Sequence, residues 1–163
     1  IPAFENYDMK GKTYRYFEGD PLYEFGYGLS YTTFNYRLKS IPTSVKSGEN
    51  IPVSVEVTNS GKRDGEEVVQ LYVSLPDSKL RKSIRSLQGF RRIYLKAGET
   101  KTVDFLLKPH QFAARNEENI PLVEAGKVLI SVGGKQPDEK SIAAAKVVQK
   151  NVEVTGDKFY VNE

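Results

Sequence analysis

The chain is 163 residues long, enough to bury a core without staples or metals, and its balance of 39% apolar and 28% charged residues excludes a disordered chain. It has no cysteine, so disulfides, thiolate zinc sites and cysteine nucleophiles are excluded, while the redox compartment stays open. A net charge of +3, from 24 basic and 21 acidic residues interspersed along the chain, is too weak a bias for nucleic acid, and no apolar run approaches the roughly 20 residues that span a bilayer.

The first residue is Ile1 rather than Met and no signal peptide is visible, so the sequence is expected to start after processing or to be cut from something longer. Residues 1–36 hold eleven of the aromatic residues, out of ten Tyr and eight Phe in the whole chain. Gly11, Gly19, Pro21, Gly26 and Gly28 make this stretch a succession of turns without strand or helix period. Such a segment cannot bury its rings through its own secondary structure and is expected to pack along a neighbouring domain. Residues 1–30 are therefore read as a linker or tail of a preceding domain, and 31–163 as a separate unit.

From Ser30 onward short alternating segments are separated by turn residues. Tyr31 to Ser40 is the first predicted strand, ending at Ile41-Pro42. Ile51 to Asn59 places Val53, Val55 and Val57 on one face and Ser54, Glu56 and Thr58 on the other. Asn59-Ser60-Gly61 and Asp64-Gly65 are turns, Glu66 to Leu75 is the next strand, and Pro76 stops it. Ser86 to Leu95 and Thr100 to Lys108 form an antiparallel pair across the turn Lys96-Ala97-Gly98-Glu99. Gly126 to Gly133 and Ala145 to Thr155 bring the total to about seven strands, the pattern of an all-β sandwich.

Little in the chain suggests catalysis. Asp64, Glu66, Glu67, Glu117 and Glu118 sit beside turns or in polar loops and read as solvated carboxylates, not as a facing pair across a sugar. His110 is the only histidine and has no partners for a common zinc set or a triad. Gly26-Tyr27-Gly28 and Gly133-Gly134 lack the strand-turn-helix setting of a phosphate loop and read as turns. Lys79, Arg81, Lys82, Arg85, Arg91 and Arg92 read as a solvated sheet edge that discourages edge-to-edge pairing. Trp is absent and the tyrosines gather in the N-terminal segment instead of on one strand face, which favours interdomain packing over a sugar-stacking platform. A carbohydrate-binding module is the alternative.

The run Thr13-Tyr14-Arg15-Tyr16-Phe17, followed by Pro21-Leu22-Tyr23-Glu24-Phe25-Gly26-Tyr27-Gly28-Leu29-Ser30-Tyr31-Thr32-Thr33-Phe34, closely resembles the junction before the C-terminal domain of family 3 glycoside hydrolases. Asn59-Ser60-Gly61, then Asp64-Gly65-Glu66-Glu67-Val68-Val69-Gln70-Leu71-Tyr72-Val73, is similar to the sandwich domain of the same family, as are Leu87-Gln88-Gly89-Phe90 and Leu95 with Ala97-Gly98-Glu99. Glu24, where many members have Pro, and Phe112-Ala113-Ala114-Arg115 depart from the pattern.

The resemblance implies an immunoglobulin/fibronectin type III-like β-sandwich with an irregular aromatic extension, belonging to a retaining exo-glycosidase that acts on β-glucosyl or β-xylosyl termini. In the family the nucleophile and acid/base carboxylates lie on upstream domains, so the resemblance carries over no catalytic residue, cofactor or metal. Tyr14, Arg15, Tyr16, Phe17, Phe25, Tyr27, Leu29 and Tyr31 match the segment that docks this domain against the others. The implied partners are the upstream catalytic domains of the same polypeptide, with carbohydrate and a second copy, through the exposed linker, as further candidates. The implied location of the parent is periplasmic or secreted.

Overall fold

A computed structural model describes Glu5, residues 9–80 and residues 82–161. The element order is α1 (Thr13–Tyr16), β1 (Phe34–Ser40), β2 (Ser44–Lys46), β3 (Ile51–Asn59), β4 (Gly65–Ser74), β5 (Ser86–Leu95), β6 (Thr100–Leu107), a 3-10 turn (Pro109–Gln111), β7 (Ala114–Arg115), β8 (Pro121–Val123), β9 (Gly126–Gly133), α2 (Glu139–Ala143), β10 (Val147–Thr155) and β11 (Phe159–Tyr160). Two sheets form the body, one in the order β1-β3-β6 and the other β2-β10-β9-β4-β5. A small third sheet, β11-β8-β7, lies apart from both in strand pairing.

The all-β sandwich expected from the sequence is present, and the seven predicted strands correspond to β1, β3, β4, β5, β6, β9 and β10. The first predicted strand begins late, at Phe34, because Tyr31 to Thr33 belong to the linker's approach. The short β2, β7, β8 and β11 were not predicted, nor was α2, whose N-cap Asp138 accepts from Ser141 N in a capping box.

Alternation builds the core. Ile51, Val53, Val55 and Val57 of β3 face inward, joined by Phe34 and Tyr36 of β1 and Val103 and Leu107 of β6. Opposite them lie Val69, Leu71 and Val73 of β4, Val128, Ile130 and Val132 of β9, and Val152 and Val154 of β10. The pairings Leu71 with Val132 and Val73 with Ile130 keep branched side chains in register on one face.

Asn59 fastens one end of the sandwich. Fully buried, it donates from Nδ2 to Arg63 O at 2.8 Å and Leu95 O at 3.1 Å, and its Oδ1 accepts from Thr32 Oγ1 at 2.5 Å and Gly61 N at 3.1 Å. Beside it Asp64 accepts from Ala97 N at 2.9 Å and Tyr94 Oη at 2.7 Å, tying the β3–β4 loop to the β5–β6 turn. The Ala97 N–H, followed by the Tyr94 hydroxyl, holds the Asp64 carboxyl below its ordinary value. Replacing Asn59 by Ala strands several buried groups at once, so Asn59→Ala should cost about 3 kcal/mol and lower Tm by roughly 6–12 °C in a thermal melt.

Candidate functional site

Along β4 the residues from Val69 to Val73 are all buried, so its alternation breaks. Gln70 and Tyr72 point away from the core, yet they are 7% and 1% exposed because the aromatic segment lies over them. Tyr14 meets Tyr72 edge-on with ring centroids 6.3 Å apart and stacks on Phe25 at 4.0 Å and 12°. Both offset stacking and edge contact suit the ring quadrupole.

Polar contacts fix this segment to the sheet. Ile84 N donates to Arg15 O at 2.8 Å, Leu87 N to Tyr14 Oη at 3.1 Å, and Gln136 N to Phe25 O at 3.0 Å. Lys135 bridges Glu24 at 3.1 Å and Asp138 at 3.2 Å. Burial opposes its charge, but those two carboxylates hold the ammonium above its ordinary value. At Gly26 the backbone has φ +81°, and a Cβ there would strike the Gln70 amide, which itself donates to Gly134 O at 2.8 Å and Gly26 O at 3.4 Å. Within this chain Tyr14 packs onto the sandwich's own Tyr72, and Phe25 stacks on Tyr14.

The other residues singled out from the sequence lie differently. Arg15 sits 5.8 Å from the Tyr16 ring, and its guanidinium reaches Ser83 Oγ at 3.5 Å. Phe17 and Tyr27 are partly exposed, while Leu29 and Tyr31 stand 91% and 92% exposed. Leu22, which sequence reading did not select, is equally bare at 90%, and Tyr23 tilts against Tyr27 at 5.2 Å. Phe90, paired with Gln70 across the β4–β5 ladder, is also exposed, at 68%. Single exposed apolar residues are ordinary, but here Leu22, Leu29 and Tyr31 are all nearly fully exposed within one short segment.

Of the carboxylates read as solvated, Glu117 and Glu118 are exposed and Glu66 pairs with exposed Arg92. Glu67 overturns that reading. It shares the inward face of β4 with Val69, Leu71 and Val73, and burial pushes its carboxyl above the ordinary carboxylate range. Its parity within the strand was readable in the sequence. The basic cluster also divides: Lys82 donates to the carbonyls of Leu75, Pro76 and Ser78, Arg91 donates to Asp104 O at 3.4 Å, and Arg81 lies outside the described residues. His110 is exposed in the 3-10 turn.

Residues 67–136 match the family described as the Fibronectin type III-like domain. The chain carries a fibronectin type III-like domain of the family 3 glycoside hydrolase type. It is 44% identical over 133 residues to a beta-xylosidase of Formosa agariphila, covering 80% of this chain and 18% of that protein. It is 41% identical to the periplasmic beta-glucosidase of Salmonella typhimurium, covering 82% of this chain and 19% of that protein. Among solved structures, the beta-glucosidase of Kluyveromyces marxianus superposes with TM-score 0.77 at 34% identity, covering 92% of this chain and 17% of that one. The chain thus spans about a fifth of the length of the curated relatives it matches. In those glycosidases the fibronectin type III-like domain is a small part of a larger polypeptide.

Two outcomes follow from this geometry. Gly26→Ala should lift the linker from the fibronectin type III-like domain by strain and contact with Gln70, seen as faster protease cleavage between residues 17 and 33 and a changed tyrosine near-UV spectrum. Burial raises the Glu67 value in the fold, so its destabilising effect is absent below about pH 4, grows as pH rises from the ordinary value toward the raised one, and is complete above it. Glu67→Gln should accordingly have the higher Tm at pH 7, with the difference closing toward pH 4 in parallel melts.

Proposed function

We propose that this chain is the C-terminal accessory domain of a family 3 glycoside hydrolase that removes terminal β-glucosyl or β-xylosyl residues, with the catalytic carboxylates on upstream domains. Its role is to stabilise and orient those domains through the aromatic segment. Exposure of Leu22, Leu29 and Tyr31 on a segment otherwise anchored to the sandwich is the observation that carries this reading.

The segment works in two layers. Tyr14 and Phe25 hold it to the sheet, with Arg15 and Tyr16 beside them, so Phe17, Tyr27, Leu29 and Tyr31 are presented in a fixed arrangement to the neighbouring domain. A pre-set surface loses less conformational freedom on docking than a floppy one, which favours a stable interdomain interface. Both xylosidases and glucosidases stand among the relatives, and one is named periplasmic, which supports an exported parent of either substrate class.

The test compares Leu29→Ala/Tyr31→Ala in this chain and in the full-length enzyme. In this chain the double variant should leave Tm unchanged, since neither side chain is packed. In the full-length enzyme it should lower the temperature of inactivation on aryl β-glucoside or β-xyloside by several degrees, as expected for truncating side chains buried at an interface. An unchanged full-length enzyme would remove the docking role, and hydrolysis by this chain alone, with contaminants excluded, would relocate the chemistry.

A further inference from the structure

Where the linker passes the open edge between the two sheets it borders an open groove of about 230 Å3, lined by Tyr27, Ser30 and Thr33 on the linker side and by Tyr36, Glu67 and Lys146 on the sandwich side. The Tyr36 side chain is 6% exposed, and its hydroxyl is buried without a hydrogen-bond partner among the described residues. Burial, and after it the charge of the adjacent Glu67 carboxylate, holds that hydroxyl above its ordinary value. A phenylalanine would fill the same space without burying a hydroxyl.

The Glu67 carboxylate forms no ion pair among the described residues, although Lys146 lines the same groove. The Lys146 ammonium instead donates to Phe34 O at 2.8 Å and Asn35 Oδ1 at 3.1 Å. Gly134 supplies the room. A Cβ there would stand 2.5 Å from Glu67 Oε1 and 3.3 Å from the Tyr36 hydroxyl, whereas its backbone is not in the left-handed region and makes no demand for glycine.

One fixed anion and one fixed cation on the same wall disfavour a charged ligand of either sign. Their combination with the Ser30 and Thr33 hydroxyls offers donors and acceptors together, and Tyr27 adds an aromatic wall. At about 230 Å3 the space falls below the roughly 300–1,000 Å3 of sites for drug-sized molecules, so it takes a single ring. We propose that this seam groove binds one pyranose ring, or a polyol of that size, through hydroxyls on the Glu67 carboxylate and the Lys146 ammonium, with Tyr27 against its apolar face. On binding, Glu67 turns one oxygen to the ligand and the other to Tyr36, which makes Tyr36 a positioning residue.

The experiment is a titration of the isotope-labelled chain with D-glucose, D-xylose and xylobiose, with glycerol as the control, followed through backbone amide shifts. Because no upstream domain is present, its failure is separate from failure of interdomain docking. Saturable shifts centred on Thr33 and Gly134 are expected, with Kd on the order of millimolar. Glu67→Gln should weaken them at least about tenfold, roughly one hydrogen bond to a charged group, and Tyr36→Phe should weaken them with Tm unchanged or higher. Stronger binding of xylobiose than of xylose would identify the ligand as a chain end, and equal binding would identify the free sugar. Shifts that grow linearly and match those from glycerol would overturn the site. So would an unchanged response in Glu67→Gln, or a Tyr36→Phe variant that melts lower and binds normally.

Discussion

Tyr72 stands on the solvent side of β4 and is nevertheless sealed, with Tyr14 against its edge and its hydroxyl donating to Gln70 Oε1 at 2.5 Å. That burial makes the linker part of the folded unit. The five-stranded sheet is covered on both faces over its centre, by the opposing sheet within and by residues 14–27 without. An antiparallel sheet normally leaves one face wet, and a strand buried on both sides loses its alternation, as β4 does from Val69 to Val73.

Once the linker is anchored, its remaining aromatics are positioned and not merely exposed. A ring held on a rigid sheet can serve as an interface anchor without first giving up the freedom of a coil. The same anchoring creates the seam in which Tyr27 faces Glu67 and Lys146. The proposed docking surface and the groove beside Glu67 therefore share one origin, the passage of residues 22–33 across the mouth of the sandwich.

The conformational economy of the two ends differs. Around Asn59 every polar group near the corner is satisfied, and the Asp64 carboxylate is favoured by the N–H and hydroxyl that reach it. Around Tyr36 and Glu67 a hydroxyl and a carboxyl are both held above their ordinary values, chiefly by burial. Strain of this kind, left in place beside a fully satisfied corner, is where function is expected to concentrate.

Period-two alternation by itself declared β3 and β6, because each of Val53, Val55 and Val57, or Val103 and Leu107, needs only its own neighbours to declare a buried face, while turn residues marked off the other main strands. The aromatic density before Phe34 likewise declared that the first segment must cover something. What it covers was settled by tertiary structure, since no local pattern specifies that Tyr14 meets Tyr72 from 58 positions away. The short strands β2, β7, β8 and β11 escaped for a related reason, being too brief to show a period and existing only by pairing with distant partners. Glu67 carried its inward parity in the sequence. Only the fold, by bringing β1, the linker and Lys146 around that position, decided that the carboxylate would be partly buried rather than fully solvated.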